Sequence, residues 1–221
     1  LMIELQNVCK RYRVKNCWHT VLDNVNLRFE EGKSIGILGV NGAGKSTLIR
    51  IIGGAELPDS GRIIRTSRVS WPIGFSGCFH GSLTGRENLR FVSRVYGADI
   101  RKVTDYVEDF AELGDYMDMP INTYSSGMRS KLAFGLSTAI GFDFYLIDEA
   151  YSVGDAAFKK KADQALKEKA ATSTLIFVSH SMAAVKQNWV CGAVLNAGQL
   201  VYYPDVNQAI KEYTDICNAK R

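Results

Sequence analysis

Residues 39–47 have the types and spacing of a phosphate-binding loop in this 221-residue chain. They match Gly-x-x-x-x-Gly-Lys-Ser/Thr, in which glycines let the backbone curl closely around phosphate groups. Lys45 would bring a positive charge to the β and γ phosphates, and the Ser46 hydroxyl would bind Mg²⁺. The pattern predicts a nucleotide site at Gly39, Val40, Asn41, Gly42, Ala43, Gly44, Lys45, Ser46 and Thr47.

The segments on either side of this loop have patterns that would hold it in position. Residues 34–38 form an apolar run that is typical of a strand buried in a parallel sheet. Residues 46–52 predict a helix. The N-terminus of that helix would add the positive end of its dipole at the phosphates.

An acidic pair, Asp148 and Glu149, follows the apolar run of residues 144–147. A buried strand that delivers an acid at its carboxyl end is a common way to hold Mg²⁺ beside a bound triphosphate. We therefore assign Asp148 to the metal and Glu149 to the general base that polarises the attacking water. Taken alone, these residues are equally compatible with a strand that ends in a surface acid pair.

Two more motifs could contact a phosphate group. Residues 125–128 (Ser125, Ser126, Gly127 and Met128) precede a helical pattern, and a hydroxyl and a glycine N–H at a helix start can bind a γ-phosphate. Ser-Ser-Gly is also an ordinary N-cap sequence. His180 comes shortly after the apolar run of residues 174–178. A histidine at the end of a strand can belong to a functional site or have only a structural role.

The rest of the chain predicts an α/β fold. Residues 3–8 and 21–29 alternate apolar and polar side chains, as half-buried antiparallel strands do. Residues 193–202 predict a β-hairpin, and residues 205–217 a terminal helix. Apolar side chains at helical spacing dominate residues 75–140, so we expect a mostly helical insertion there.

Composition excludes several function classes. The net charge of +4 is too small to indicate nucleic-acid binding, so we expect no nucleic-acid partner. Five scattered cysteines without a Cys-x-x-Cys pair predict reduced thiols and neither a disulfide framework nor a zinc site. We find neither a signal peptide nor an apolar run of about 18 residues, so any membrane role would need a partner.

Together the motifs resemble those of ATP-binding cassette (ABC) ATPases, in the same order along the chain. The resemblance implies that ATP is the ligand, Mg²⁺ the metal, and His180 a contact of the γ-phosphate and attacking water. Residues 152–155 are similar to the family's Ser-Ala-Leu-Asp loop, in which Asp155 would couple two cassettes. Tyr12 stands where the family stacks an aromatic ring on adenine, although a core or surface tyrosine is the alternative.

The family's Leu-Ser-Gly-Gly-Gln signature corresponds to residues 124–129. Its Ser-Gly pair aligns with Ser126 and Gly127, and Tyr124 or Ser125 replaces its Leu. The predicted insertion carries this signature, too far along the chain to be assumed within reach of its own phosphate loop. The resemblance therefore implies a homodimer in which each ATP lies between one phosphate loop and residues 125–128 of the other chain.

The implied fold is a P-loop NTPase of the ABC type. It has a mixed central sheet, an N-terminal antiparallel β subdomain and a helical subdomain. Residues 1–221 would form a single ATPase domain, with the helical subdomain inserted at about residues 75–140.

Residues 71–89, 124–130 and 153–155 more closely resemble the ATPase subunits that export capsular polysaccharide and polysialic acid from Gram-negative bacteria. The resemblance implies an ATPase at the cytoplasmic face of the inner membrane, with a separate transmembrane permease and a polysaccharide cargo. A short permease helix would enter a groove near residues 75–96. Alternatives are an exporter of O-antigen or teichoic acid, a soluble ABC ATPase and a P-loop nucleotide kinase.

One feature departs from most cassettes. They carry a glutamine that senses Mg²⁺ at a position that falls near Phe75 in this chain, and no glutamine occurs between Gln6 and Gln164. Ser76 or His80 could replace it through a water molecule.

Overall fold

The computed structural model describes residues 1–148 and 156–219. The strands in these ranges are β1 (Met2–Val14), β2 (Cys17–Glu30), β3 (Ile35–Leu38), β4 (Ser60–Arg65), β5 (Val69–Pro72), β6 (Phe144–Asp148), β7 (Thr174–Ser179), β8 (Cys191–Asn196) and β9 (Gln199–Tyr203). The α-helices are α1 (Lys45–Ile52), α2 (Gly85–Val95), α3 (Ile100–Ala111), α4 (Ser126–Ala139), α5 (Ala156–Ala170), α6 (Met182–Asn188) and α7 (Val206–Ala219). None of the helices in the described ranges combines the length and apolar character that a bilayer-crossing segment requires.

A mixed sheet lies at the centre of the first of two compact units, with strand order β5-β6-β7-β3-β8-β9. All neighbours pair in parallel except β8 and β9, which form the predicted hairpin. All four residues of β3 are buried, which explains its continuous apolar sequence. Because parallel strands end at the same sheet edge, β3, β6 and β7 all point their carboxyl ends toward one side.

A three-stranded antiparallel sheet, ordered β2-β1-β4, belongs to the same unit. The pairing of β1 with β2 shifts register between Leu5 and Val8, Val8 and Lys10, and Lys10 and Arg11. These irregularities interrupt the two-residue alternation, so the sequence predicted strands that are shorter than the observed ones. Apolar side chains of both sheets and α1 form one core cluster.

The first unit consists of the described residues of Leu1–Pro72, Phe142–Glu149 and Ser173–Arg221. The second consists of the described residues of Ile73–Gly141 and Ala150–Thr172. The insertion predicted at residues 75–140 falls inside the second unit, which also includes α5. That the whole chain forms one ATPase domain stays a prediction.

Aromatic packing joins the helices of the second unit. Phe110 of α3 stacks on Phe134 of α4 with ring centroids 5.5 Å apart. Phe158 of α5 meets both rings edge-on. The Lys161 ammonium, also on α5, donates to the Asp109 carbonyl at 2.7 Å. The sequence did not assign α5 to this unit, because these contacts link distant segments.

Helix α3 ends at Ala111. Its C-cap, Glu112, is in the left-handed conformation at φ 51°. Leu113 lies beyond the end of the helix but is buried. Its apolar side chain therefore continues the helical spacing of α3, although its backbone is not helical.

We expect Gly61→Ala to lower the free energy of unfolding more than Gly32→Ala. Both glycines have positive φ, at 80° and 82°, so an alanine at either pays about 1–2 kcal/mol of backbone strain. A Cβ at Gly61 would also lie under 3.0 Å from the Asn7 carbonyl oxygen, whereas Gly32 faces open space. Urea unfolding of both variants measures the difference. Equal decreases in the free energy of unfolding would show that the β1 backbone moves away from the added Cβ without loss of stability.

Candidate nucleotide-binding site

The predicted phosphate loop connects β3 to α1 at the carboxyl edge of the central sheet. Gly42 and Gly44 adopt positive φ angles of 80° and 102°, and the Ala43 N–H donates to the Val40 carbonyl at 3.0 Å. Gly44 is the N-cap of α1, and no side chain caps the helix there. The first N–H groups of α1 are therefore available to an anion.

Gly44 must be glycine for a steric reason as well. A Cβ at this position would lie 2.5 Å from Val21 Cγ1 and 3.0 Å from the Val21 carbonyl oxygen. The loop thus packs directly against β2. Any larger residue would push the start of α1 away from the sheet.

Lys45 holds its ammonium group inside the curve of the loop. Its Nζ donates to the carbonyl oxygens of Gly39 at 2.6 Å and Val40 at 3.0 Å. Phosphate oxygens could replace these two acceptors without a large movement of the side chain. The arrangement suits a lysine that binds the β and γ phosphates.

Ser46 and Asp148 meet although they are distant in the sequence. The Ser46 hydroxyl donates to Asp148 Oδ2 at 3.0 Å, because α1 starts beside the end of β6. Hydroxyl and carboxylate oxygens are ligands that Mg²⁺ accepts, together with phosphate oxygens and water. The two residues assigned to the metal are therefore adjacent.

His180 follows β7 at the same edge of the sheet. The preceding residue, Ser179, accepts a hydrogen bond from the Gly39 N–H at 3.3 Å, so the end of β7 touches the start of the phosphate loop. The His180 side chain is exposed, and its carbonyl accepts from the Tyr213 hydroxyl at 3.3 Å. Its backbone is thereby fixed beside the loop.

Tyr12 is half-buried, and its hydroxyl lies 3.3 Å from the Thr47 hydroxyl. The same group donates to the carboxylate of Glu56, a residue that sequence reasoning missed. Burial opposes ionisation of Glu56, but hydrogen bonds from Tyr12, Lys10 and Arg50 hold its pKa below the ordinary value. Glu56 lies in a loop with no motif, so no sequence signal could have found it.

The signature motif belongs to the second unit and begins α4. Ser125 is the N-cap, and its hydroxyl accepts from the Met128 N–H at 3.2 Å. Ser126 and Gly127 therefore form the first turn of the helix. The ordinary N-cap interpretation of this sequence is thus correct. As a result, the N–H groups of that first turn lie at the start of a helix.

The loop where most cassettes carry glutamine is organised by Asn88, whose role sequence reasoning also missed. This buried side chain donates to the carbonyls of His80, Leu83 and Thr84 and accepts from the His80 N–H at 2.8 Å. His80 Nδ1 lies 3.2 Å from the Ser82 hydroxyl. The side chain of Ser76, the other predicted substitute, lies outside the described part of the structure.

Two residues of the predicted site fall in 149–155, outside the described residues. They are Glu149, the assigned general base, and Asp155 of the predicted D-loop. Their assignments stay predictions.

Comparison with known proteins is consistent with this geometry. A family model described as "ABC transporter" matches residues 22–152. The polysialic acid transport ATP-binding protein KpsT of Escherichia coli is 52% identical over 96% of this chain and 98% of its own length. The capsule polysaccharide export ATP-binding protein CtrD of Neisseria meningitidis serogroup B is 48% identical over 97% of this chain and 100% of its own.

Solved structures agree on the fold. The ATP-binding cassette MJ0796, in a dimeric post-hydrolysis state bound to ADP and Pi, superposes with a TM-score of 0.72 at 24% identity. The match covers 90% of this chain and 96% of that one. Such a match confirms the predicted fold class.

We expect Lys45→Ala to reduce ATP affinity by about 10-fold or more, because hydrogen bonds to charged groups contribute about 1.5–3 kcal/mol. Titration calorimetry gives the dissociation constant directly. Lys102→Ala, which removes an exposed lysine from α3, is the matched control and should bind ATP normally. Unchanged affinity in Lys45→Ala would remove this residue from the site.

Proposed function

This chain belongs to the ABC transporter family, and from that premise we propose that it is the ATP-hydrolysing subunit of a polysaccharide exporter. The observation that carries the proposal is the hydrogen bond between Ser46 and Asp148. It joins the predicted phosphate loop to the predicted metal ligand, which a chance glycine-rich turn would not do.

In this proposal ATP binds along the phosphate loop, residues 39–47. Lys45 contacts the β and γ phosphates, the N–H groups at the start of α1 contact phosphate oxygens, and Tyr12 stacks on adenine. The accessible first turn of α1 and the carbonyl-bound ammonium of Lys45 support the phosphate contacts.

Ser46 and Asp148 would hold Mg²⁺, and their 3.0 Å separation and oxygen donors fit that ion. When bound, the metal would neutralise charge on the phosphates during their transfer. Glu149 would accept a proton from the attacking water, and His180 would orient that water beside the γ-phosphate.

Hydrolysis requires a second copy of the chain. Residues 125–128 of one copy would close over the ATP of the other, with Asp155 at the contact between the two. The N-capped start of α4 supports this role, because it presents N–H groups at the positive end of a helix. ATP would then stabilise the dimer, and its hydrolysis would release it.

The dimer would transmit the energy of ATP hydrolysis to a membrane partner, which it would bind at the cytoplasmic face of the bacterial inner membrane. Phe75, Phe91, Val95 and Tyr96 in the second unit are exposed apolar side chains, and such groups commonly mark a protein interface. Phe91 and Val95 are one turn apart on α2, so they share a face. The names of the relatives support a polysaccharide, such as a capsule polymer, as the cargo.

We expect Glu149→Gln to bind ATP normally but to stop turnover, so that an ATP-dependent dimer accumulates. The amide keeps the size of the side chain but cannot accept the proton. Analytical ultracentrifugation with and without ATP measures the dimer. The double variant Glu149→Gln/Lys45→Ala is the control and should stay monomeric. A Glu149→Gln protein that hydrolyses ATP at the normal rate would show that another group is the base.

The cargo is tested in the native bacterium. Deletion of the gene should leave polysaccharide inside the cell and remove it from the surface, as measured by polymer-specific staining before and after permeabilisation. A plasmid with the wild-type gene should restore export, and one carrying Lys45→Ala should not, because transport depends on nucleotide. Normal surface polysaccharide in the deletion strain would overturn the assignment of cargo.

A further inference from the structure

A cluster of charged side chains lies where the N-terminal sheet meets the end of α1. Glu56 is its centre: Lys10 Nζ lies 3.2 Å from Oε1, Arg50 Nε lies 3.1 Å from Oε2, and the Tyr12 hydroxyl donates to Oε1. Lys10 also donates to Asp59 Oδ1 at 3.4 Å. Two carboxylates thus face two cations, and the cluster is electrically balanced.

The pair at the centre of the cluster is shielded from water, whereas Arg50 and Asp59 at its edge are each 36% exposed. The side chains of Lys10 and Glu56 are only 13% and 20% exposed, so their attraction is weakened less by solvent than that of surface pairs. Such a shielded pair holds its geometry better than an exposed one. The Tyr12 hydroxyl is therefore attached to a fixed acceptor.

The same contacts reach the phosphate loop. The Tyr12 hydroxyl lies 3.3 Å from the Thr47 hydroxyl, and Arg50 Nη2 donates to that hydroxyl at 3.4 Å. Thr47, the last residue of the phosphate loop, and Arg50 both lie on α1, one turn apart. Glu56 consequently ties the Tyr12 ring and the phosphate loop into one arrangement.

Strand pairing and side-chain contacts both restrain Tyr12. The ladder between β1 and β2 shifts register on both sides of Lys10, and regular pairing resumes at Arg11, so that Tyr12 pairs with His19. Such irregularities re-aim the side chains that follow them. The hydroxyl contacts with Glu56 and Thr47 restrain the outer end of the side chain, while the ring packs against the core cluster.

We propose that Glu56 is a positioning residue for base recognition: it holds the Tyr12 ring at a set distance from the phosphate loop. The inference rests on the proposed ATP-binding function and extends it to a residue that would not touch the nucleotide. Base and phosphate would then be bound at one spacing, which favours a nucleoside triphosphate over phosphate groups alone. Lys10, whose ammonium lies 5.5 Å from the centre of the Tyr12 ring, would support the same placement.

The test compares ATP with inorganic tripolyphosphate, which has the phosphates but no base. Titration calorimetry with Glu56→Ala should show ATP affinity reduced by about 3-fold or more and tripolyphosphate affinity unchanged. Tyr12→Ala should reduce the affinity for ATP alone by about 5- to 150-fold, the range that base–aromatic stacking supports. Glu4→Ala, on the same strand as Tyr12, is the matched control and should bind both ligands normally.

A second variant tests the tether without removing the carboxylate. Tyr12→Phe keeps the ring and loses the hydroxyl, so it should weaken ATP binding as Glu56→Ala does and leave tripolyphosphate binding intact. In the double variant the two losses should be less than additive, because both remove the same contact. Additive losses would show that Glu56 does not act through Tyr12.

Other outcomes are equally decisive. Equal proportional losses for ATP and tripolyphosphate in Glu56→Ala would mean that the cluster only supports the loop, and unchanged binding of both would also overturn the inference. If Tyr12→Ala binds ATP normally, Tyr12 is not the base platform and the inference fails while the ATPase proposal stands. A wild-type protein that binds neither ligand would instead overturn the proposed function.

Discussion

Parallel pairing of β3, β6 and β7 is the constraint on which the candidate site depends. Strands that run in one direction end at one edge, so three separate segments deliver the phosphate loop, Asp148 and His180 to the same side of the sheet. The hydrogen bond between Ser46 and Asp148 spans 102 residues of sequence and exists only when this pairing has formed. The phosphate-loop motif therefore acquires its chemistry from long-range strand pairing.

The N-terminal sheet supplies the other end of the site. Val21 of β2 leaves no room for a side chain at Gly44, and Tyr12 of β1 contacts Thr47 through its hydroxyl. The antiparallel sheet is thus in contact with the loop at two points. Tyr12 and the loop at residues 39–47 are held together because both sheets share one core with α1.

Within the second unit, the segment before the signature is joined to the segment before α2. Ile121 donates to the Leu83 carbonyl and Asn122 to the Gly81 carbonyl, each at 2.9 Å. Tyr124, which precedes the N-cap of α4, is buried and donates its hydroxyl to the Tyr116 carbonyl. The start of α2 and the start of α4 consequently belong to one connected network of hydrogen bonds.

Much of the secondary structure could be predicted, and the errors have physical causes. Buried parallel strands such as β3 and β7 are continuous apolar runs, and the β8–β9 hairpin has a clear turn at residues 197–198. The strands β4 and β5 were missed because neither has a clear apolar pattern: β4 is largely exposed, and β5 includes Ser70 and ends in Pro72. Register shifts hid the full length of β1, because they break the alternation on which strand prediction relies.

By itself, the sequence predicted the phosphate loop, the acid at the end of β6 and the helix start at residues 125–128, because each of these signals is contained in a few consecutive residues. Only the tertiary structure decided that Glu56 would bind Tyr12, that Asn88 would hold the loop at His80, and that α5 would pack with α3 and α4. These contacts depend on which distant segments are brought together. Neither composition nor spacing along one segment contains that information.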